Sequence, residues 1–199
     1  LNMLKGNKEF VLIDDQKVEF EQIKKAAFDA IKNNQKTVYI VRGGPGTGKS
    51  VVAINLLAEC IHNGYMAQYI TSNAAPRNVY STMLQKGFKK TEIKALFQSS
   101  GTFHTRSRNV LQIAIVDEAH RLREKSGMYQ NEGEDQIKEI INASLFSVFF
   151  IDRNQRVTFK DTGTIDKILK FSTEQKALIY EGVLESQFRC NGSDGYLAW

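Results

Sequence analysis

One eight-residue segment constrains the fold of this chain more than any other: a glycine-rich loop that ends in lysine and serine. It directly follows a strand-like run, Val38-Tyr39-Ile40-Val41, and consists of Gly43, Gly44, Pro45, Gly46, Thr47, Gly48, Lys49 and Ser50. The glycines let the backbone wrap tightly, so that successive N–H groups point at a phosphate. Apolar periodicity predicts a helix over residues 51–61, whose N-terminus would face the same phosphate. Strand, loop and helix in this order predict a phosphate-binding loop rather than a chance glycine turn.

The side chains of this loop predict a nucleotide with a bound cation. Lys49 is expected to reach the β- and γ-phosphates, and the Ser50 hydroxyl is expected to ligate Mg²⁺. All eight loop residues are therefore candidate nucleotide contacts. The predicted cofactors are ATP and Mg²⁺.

A second motif supplies carboxylates at the end of another strand. The apolar run Ile113-Ala114-Ile115-Val116 leads into Asp117-Glu118-Ala119-His120. One carboxylate can hold Mg²⁺ while its neighbour polarises the attacking water. We assign Asp117 to the metal and Glu118 to the general base; the alternative is a pair of solvated acids in a loop. Lys49 would assist Glu118 in catalysis.

The alternation of strands and helices predicts an α/β fold with a largely parallel sheet. At 199 residues the chain fits a single domain, in which residues 1–35 form an N-terminal segment and helix. The patterns predict helices over residues 15–32, 75–84, 91–97, 135–142 and 165–171, and strands that include residues 38–41, 69–71, 113–116, 146–151 and 177–180. Residues 125–134 are polar and contain glycine, which predicts a surface loop.

Composition narrows the cellular setting and the partners. No apolar run is long enough to cross a bilayer, so we expect a cytoplasmic protein without a membrane partner. The net charge is +5, and between Ser72 and Val116 there are seven basic residues and one acid. Such a segment favours a polyanion partner, although a solvated lysine face is the alternative.

The two motifs together resemble the nucleotide site of superfamily 1 and 2 helicases, and further segments favour superfamily 1. Tyr69-Ile70-Thr71-Ser72-Asn73 and Gly101-Thr102-Phe103-His104-Thr105 are similar to motifs Ia and Ib. The stretch from Phe149 to Gln155 resembles motif III. Ser186-Gln187-Phe188-Arg189 is similar to the segment that closes the first motor domain, and Asp15-Gln16 is similar to the adenine-reading Q motif.

The resemblance implies a three-layer RecA-like P-loop NTPase domain and further site residues. Gln155 would contact the γ-phosphate region, Arg189 would reach the γ-phosphate, and Gln16 would contact the adenine. Nucleic-acid contacts would come from Ser72, Asn73, Arg77, Thr102, Phe103 and His104. For Phe103 and His104, a place in the core remains equally open.

Residues 149–160 and 187–199 look particularly like an uncharacterised P-loop family related to the helicase-like domain of Schlafen proteins. Superfamily 1 motors have two RecA-like domains, so we expect the second one to follow in a longer parent protein. The resemblance implies an ATPase motor domain that binds single-stranded DNA or RNA. The alternatives are a nucleotide-controlled interaction module and a small-molecule kinase, although a kinase leaves the Asp-Glu-Ala-His motif unexplained.

Overall fold

The computed structural model describes residues 12–72, 95–127, 129, 131–152 and 162–185. The described chain forms four helices, six strands and two short 3-10 turns. The helices are α1 (Asp14–Lys32), α2 (Lys49–His62), α3 (Gln136–Ala143) and α4 (Ile165–Glu174). The strands are β1 (Thr37–Gly43), β2 (Ala67–Ile70), β3 (Phe97–Gln98), β4 (Leu111–Val116), β5 (Ser144–Ile151) and β6 (Leu178–Leu184). The 3-10 turns cover Ser100–Thr102 and Ala119–Arg121.

The six strands form one sheet in the order β3-β2-β4-β5-β1-β6. Every pairing between these strands is parallel. One face of the sheet packs against α1 and α2, and the other packs against α3 and α4. The prediction of a three-layer α/β domain with a mostly parallel central sheet is confirmed.

The central strands are buried on both faces, which explains their nearly continuous apolar sequence. All eight residues of β5 are buried, and the first five residues of β1 are buried as well. The carboxyl ends of parallel strands meet at one edge of the sheet. Side chains that follow β1, β2, β4 and β5 therefore lie along the same edge.

The predicted helix over residues 91–97 is wrong at its end. Residues 95 and 96 are helical, but Phe97 begins β3 and pairs with Tyr69 of β2. The two rings lie 5.5 Å apart between centroids, so a contact between distant segments overrides the local helical pattern. The predicted helix over residues 75–84 lies outside the described residues.

The surface loop predicted over residues 125–134 is anchored through the residues that the structure describes. Ser126 and Glu132 form an antiparallel bridge. The buried Gln136 accepts a hydrogen bond from the Arg123 backbone at 3.0 Å and donates one to the Ser126 hydroxyl at 3.1 Å. These bonds hold the loop against the start of α3.

Cys60 lies in the core of the described chain without any exposed surface. None of the helices in the described ranges is long and apolar enough to span a membrane.

Candidate nucleotide-binding site

The glycine-rich loop lies between the end of β1 and the start of α2, at the carboxyl edge of the sheet. Gly46 and Gly48 have φ angles of 81° and 86°, a region that glycine adopts without steric cost. Thr47 is buried, and its hydroxyl donates a hydrogen bond to the Gly44 carbonyl at 3.0 Å. These features give the loop a defined conformation.

Gln16 of α1 lies directly against this loop. Its side-chain amide donates a hydrogen bond to the Thr47 carbonyl at 3.0 Å, and a Cβ on Gly48 would overlap with the same amide nitrogen. Its side-chain oxygen accepts a 3.5 Å bond from the Ile13 backbone. The structure thus links Gln16 to the shape of the phosphate loop, and its contact with adenine stays a prediction.

Lys49 is turned toward the backbone of its own loop. Its ammonium group donates to the carbonyls of Gly43 and Gly44, each at 2.6 Å. It also lies 3.6 Å from a carboxylate oxygen of Asp152, which directly follows β5. Asp152 was not among the predicted site residues, although its position after an apolar strand was a usable signal.

Asp117 joins the two predicted halves of the site. Its Oδ2 accepts hydrogen bonds from the Ser50 hydroxyl at 2.7 Å and from the Tyr69 hydroxyl. Its Oδ1 accepts a bond from the Glu118 backbone N–H at 2.9 Å. Tyr69 is buried within β2, and sequence reasoning missed it because an apolar strand residue carries no local sign of such a contact.

The donors at this position suit Mg²⁺. Ser50 Oγ and Asp117 Oδ2 are hard oxygen ligands, and they lie close enough for one cation to contact both. Among the described residues there is no cluster of three or more His, Cys, Asp or Glu side chains placed to hold a metal. Such a cluster is not required, because Mg²⁺ in nucleotide sites takes few protein ligands and fills its shell with water and phosphate oxygens.

Glu118 adopts a backbone conformation that is uncommon for glutamate. Its φ angle is 52°, in the left-handed region, and it precedes the 3-10 turn Ala119–Arg121. Its carboxylate is partly exposed and lies 3.4 Å from the guanidinium of Arg121. A strained residue beside a phosphate loop is a candidate for a functional role.

His120 is buried in the 3-10 turn that follows Glu118. Within the described residues neither of its ring nitrogens forms a hydrogen bond. Burial lowers the pKa of His120, and the nearby cations Lys49 and Arg121 act in the same direction, whereas Glu118 and Asp152 oppose them. Burial thus favours the neutral imidazole. The backbone of Gly163 packs so closely on Ala119 that a Cβ there would overlap with the Ala119 carbonyl oxygen.

Four of the predicted nucleic-acid contacts lie in the described part of the chain. The hydroxyls of Ser72, after β2, and Ser100, in the turn after β3, lie 3.1 Å apart. Thr102 is exposed on the same 3-10 turn. His104 is partly exposed and donates from Nδ1 to the Gly101 carbonyl at 3.1 Å. Ser72, Thr102 and His104 thus belong to neighbouring loops.

Phe103 occupies a different environment from its neighbours. It is 1% exposed and belongs to the core beneath α3 and α4. The Arg106 guanidinium lies over its ring, 3.9 Å from the centroid, and is held by the side chains of Gln68 and Gln98. A base cannot stack on a ring covered in this way, so the structure favours the core alternative for Phe103.

The remaining predicted site residues, Asn73, Arg77, Gln155 and Arg189, lie outside the described residues. Their roles stay predictions.

Solved structures with a similar fold include several P-loop proteins. The Pif1 helicase from Candida albicans is 15% identical to this chain, with a TM-score of 0.52. The alignment covers 95% of this chain and 43% of the Pif1 chain. The helicase domain of Hef from Pyrococcus furiosus is 11% identical to this chain, with a TM-score of 0.49. The alignment covers 84% of this chain and 37% of the Hef chain. The chain thus spans less than half the length of either protein, and at 15% identity the similarity to the Pif1 helicase shows the fold alone.

The comparison by sequence is more specific than the comparison by structure. No curated protein sequence matches the chain. A family model does match, over residues 36–199, which include the phosphate loop, the Asp-Glu-Ala-His turn and the segment around Arg189. The resemblance to a helicase-like P-loop domain related to Schlafen proteins is therefore confirmed, and the chain belongs to the family described as Schlafen group 3, DNA/RNA helicase domain.

Proposed function

We propose that this chain is the ATP-binding and hydrolysing motor domain of a superfamily 1-type helicase or translocase. Hydrolysis is coupled to the binding of single-stranded DNA or RNA. The observation that carries the proposal is the 2.7 Å hydrogen bond between Ser50 and Asp117. It joins the phosphate loop to the carboxylate pair at one edge of the sheet, which is the arrangement that phosphoryl transfer from ATP requires.

The first step is an exchange of partners by Lys49. Its ammonium group contacts the carbonyls of Gly43 and Gly44, and Asp152 adds a negative charge nearby. A nucleotide offers β- and γ-phosphate oxygens with higher charge than a carbonyl, so the ammonium turns from the loop to the phosphates. Ser50 and Asp117 would hold the Mg²⁺, which would supply positive charge beside the phosphates.

Glu118 activates the attacking water in this proposal. Its carboxylate is partly exposed beside the phosphate loop, whereas Asp117 is buried and committed to three hydrogen bonds. Arg121 lies close enough to fix the orientation of the Glu118 side chain. Gln155 and Arg189 complete the site as contacts to the γ-phosphate.

The polymer binds along the loops that follow β2 and β3. Ser72, Thr102 and His104 supply polar contacts there, together with Asn73 and Arg77. The basic segment between Ser72 and Val116, with seven basic residues and one acid, supplies attraction to phosphates. A second RecA-like domain of the parent protein completes the track, so we expect negligible duplex unwinding by this chain alone.

The test is the rate of ATP hydrolysis by the full-length protein and by this chain, with and without single-stranded DNA or RNA. The proposal expects stimulation of the full-length protein by one of these polymers. Glu118→Gln should retain ATP and hydrolyse it at least 100-fold more slowly, because the general base is lost while the phosphate contacts remain. Arg121→Gln removes the partner that orients Glu118 but keeps the carboxylate, so it should slow hydrolysis less than Glu118→Gln does.

Two results would count against the proposal. Unchanged turnover in Glu118→Gln would remove the assigned base. Slow hydrolysis that no polymer stimulates, together with ATP-dependent binding of a protein partner, would favour the nucleotide-controlled interaction module instead.

A further inference from the structure

Tyr69 lies in β2, the strand next to the one that ends at Asp117. Its side chain has no exposed surface, and its ring packs 5.5 Å from that of Phe97. In the parallel pairing of β2 with β4, Tyr69 is opposite Ile115, two residues before Asp117. Side chains two residues apart on a strand share a face, so Tyr69 and Asp117 point to the same side of the sheet.

The Tyr69 hydroxyl uses this alignment to bind the carboxylate. It donates a hydrogen bond to Asp117 Oδ2, the oxygen that also accepts the bond from Ser50. A buried phenol needs such a partner, and a bond to a charged acceptor is stronger than one to a neutral acceptor. The carboxylate is therefore fixed from both sides, by Tyr69 at Oδ2 and by the Glu118 N–H at Oδ1.

The two donors at Oδ2 differ in what happens when a cation enters. The Ser50 oxygen is itself a predicted metal ligand, so its hydrogen bond to Asp117 must give way to the metal. The Tyr69 hydroxyl approaches from the strand, where it is held by packing in the core. It can keep its bond while the carboxylate binds the cation directly or through water.

We propose that Tyr69 is a positioning residue for the metal site: its hydroxyl sets the orientation of the Asp117 carboxylate that binds Mg²⁺ with the nucleotide. This inference rests on the proposed function, because it assigns Asp117 to the metal. Outer-shell partners of metal ligands typically contribute 10-fold to 100-fold in metal affinity.

The test uses Mn²⁺ as a spectroscopic substitute for Mg²⁺. Electron paramagnetic resonance measures the affinity of the full-length protein for Mn²⁺ in the presence of a non-hydrolysable ATP analogue. Tyr69→Phe should weaken Mn²⁺ binding by about 10-fold or more. Binding of the analogue in EDTA should be unchanged, because the phosphate loop is intact.

Tyr39→Phe is the matched control. Tyr39 is a tyrosine of β1 that is 3% exposed, and its hydroxyl bonds to Gln22 at 3.3 Å rather than to the site. The Tyr39→Phe variant shows what the loss of one buried hydroxyl does to stability and to metal binding in general. Both variants are assayed at a temperature at which circular dichroism shows them to be folded.

A double-mutant cycle separates positioning from a general structural role. If Tyr69 acts through the carboxylate, Tyr69→Phe should cause no further loss of Mn²⁺ affinity in an Asp117→Ala background. Equal losses in both backgrounds would overturn the inference. The inference would also be overturned if Tyr69→Phe bound Mn²⁺ as tightly as the wild-type protein does. If the wild-type protein still hydrolysed ATP in that case, the proposed function would stand. A wild-type protein that binds no nucleotide would overturn both.

Discussion

Replacement of Gly48 by alanine tests the contact between α1 and the phosphate loop. Gly48 has a φ angle of 86°, and a Cβ added there would overlap with the side-chain amide of Gln16. The substitution therefore has two separate effects. One is the backbone conformation itself, and the other is the displacement of Gln16 from its bond to the Thr47 carbonyl.

The size of each effect follows from the structure. An L-residue other than glycine in the left-handed region costs about 1 to 2 kcal/mol. Loss of the buried hydrogen bond to Thr47 adds about 1 kcal/mol. We therefore expect Gly48→Ala to lower the free energy of unfolding by about 2 to 3 kcal/mol.

Gly64→Ala is a control for the first effect. Gly64 has a φ angle of 75°, close to that of Gly48, but nothing lies within 4 Å of the position that its Cβ would take. We expect it to lose only the conformational part, about 1 to 2 kcal/mol. The measurement is urea unfolding of both variants followed by circular dichroism, with the slope of the transition checked for equality.

A third variant isolates the role of Gln16. In a Gln16→Ala background, the addition of Gly48→Ala should cost no more than Gly64→Ala does, because the overlap is gone. If Gly48→Ala and Gly64→Ala are equally destabilising in the wild-type background, Gln16 does not support the phosphate loop, and this reasoning is refuted.

Three further predictions concern other contacts of the same domain. Lys49→Ala should lower ATP affinity at least 10-fold in equilibrium binding, because the mobile charge for the phosphates is lost; unchanged affinity would contradict this role. Lys36→Met should lower the free energy of unfolding by about 2 kcal/mol or more, because the buried ammonium group donates to the carbonyls of Ile141, Asn142 and Ser144. Urea unfolding measures this loss of stability. A loss below about 0.5 kcal/mol would show that these carbonyls find other partners. His120 should make the protein less stable as the pH is lowered, because burial lowers its pKa in the folded state. Its contribution to stability is complete above a pH of about 6.5 and is lost as the pH falls below that value. Thermal unfolding between pH 5 and 8 should show a smaller slope in His120→Gln, and an equal slope would assign the effect to another group.

Much of this fold was predictable because its sequence signals are local. β5 is a run of eight buried residues, and the helix over residues 15–32 was predicted to within one residue of its observed start at Asp14. The glycine loop and the two carboxylates after β4 were also found from short patterns. Each of these features depends on residues that are adjacent or nearly adjacent in the chain.

The features that the sequence did not predict depend on contacts between distant residues. β3 has only two residues, and Phe97 joins it through its pairing with Tyr69. The bond from Lys36 to Ile141 spans 105 positions, and the one from Tyr69 to Asp117 spans 48. A lysine and a tyrosine have many alternative partners in a sequence, and only the folded sheet selects among them.

The strand β2 connects the predicted polymer contacts to the metal carboxylate. Ser72 lies three residues after Tyr69, and its hydroxyl contacts Ser100 of the neighbouring turn at 3.1 Å. The Ile70 carbonyl accepts a hydrogen bond from the Asp117 N–H at 2.9 Å, so β2 holds both the backbone and the side chain of Asp117.

The glycine loop, in contrast, follows β1, which is separated from β2 by β4 and β5. A polymer that shifts the end of β2 would therefore move Asp117 more directly than the phosphate loop, whose Ser50 hydroxyl turns from that carboxylate to the metal when the nucleotide binds. Because a displacement of about 1 Å can change a rate by on the order of 100-fold, such a shift acts on the chemical step. We therefore expect single-stranded DNA or RNA to raise kcat for ATP with little change in the affinity for the nucleotide, and stimulation that appears only as tighter nucleotide binding would show that the signal does not pass through β2.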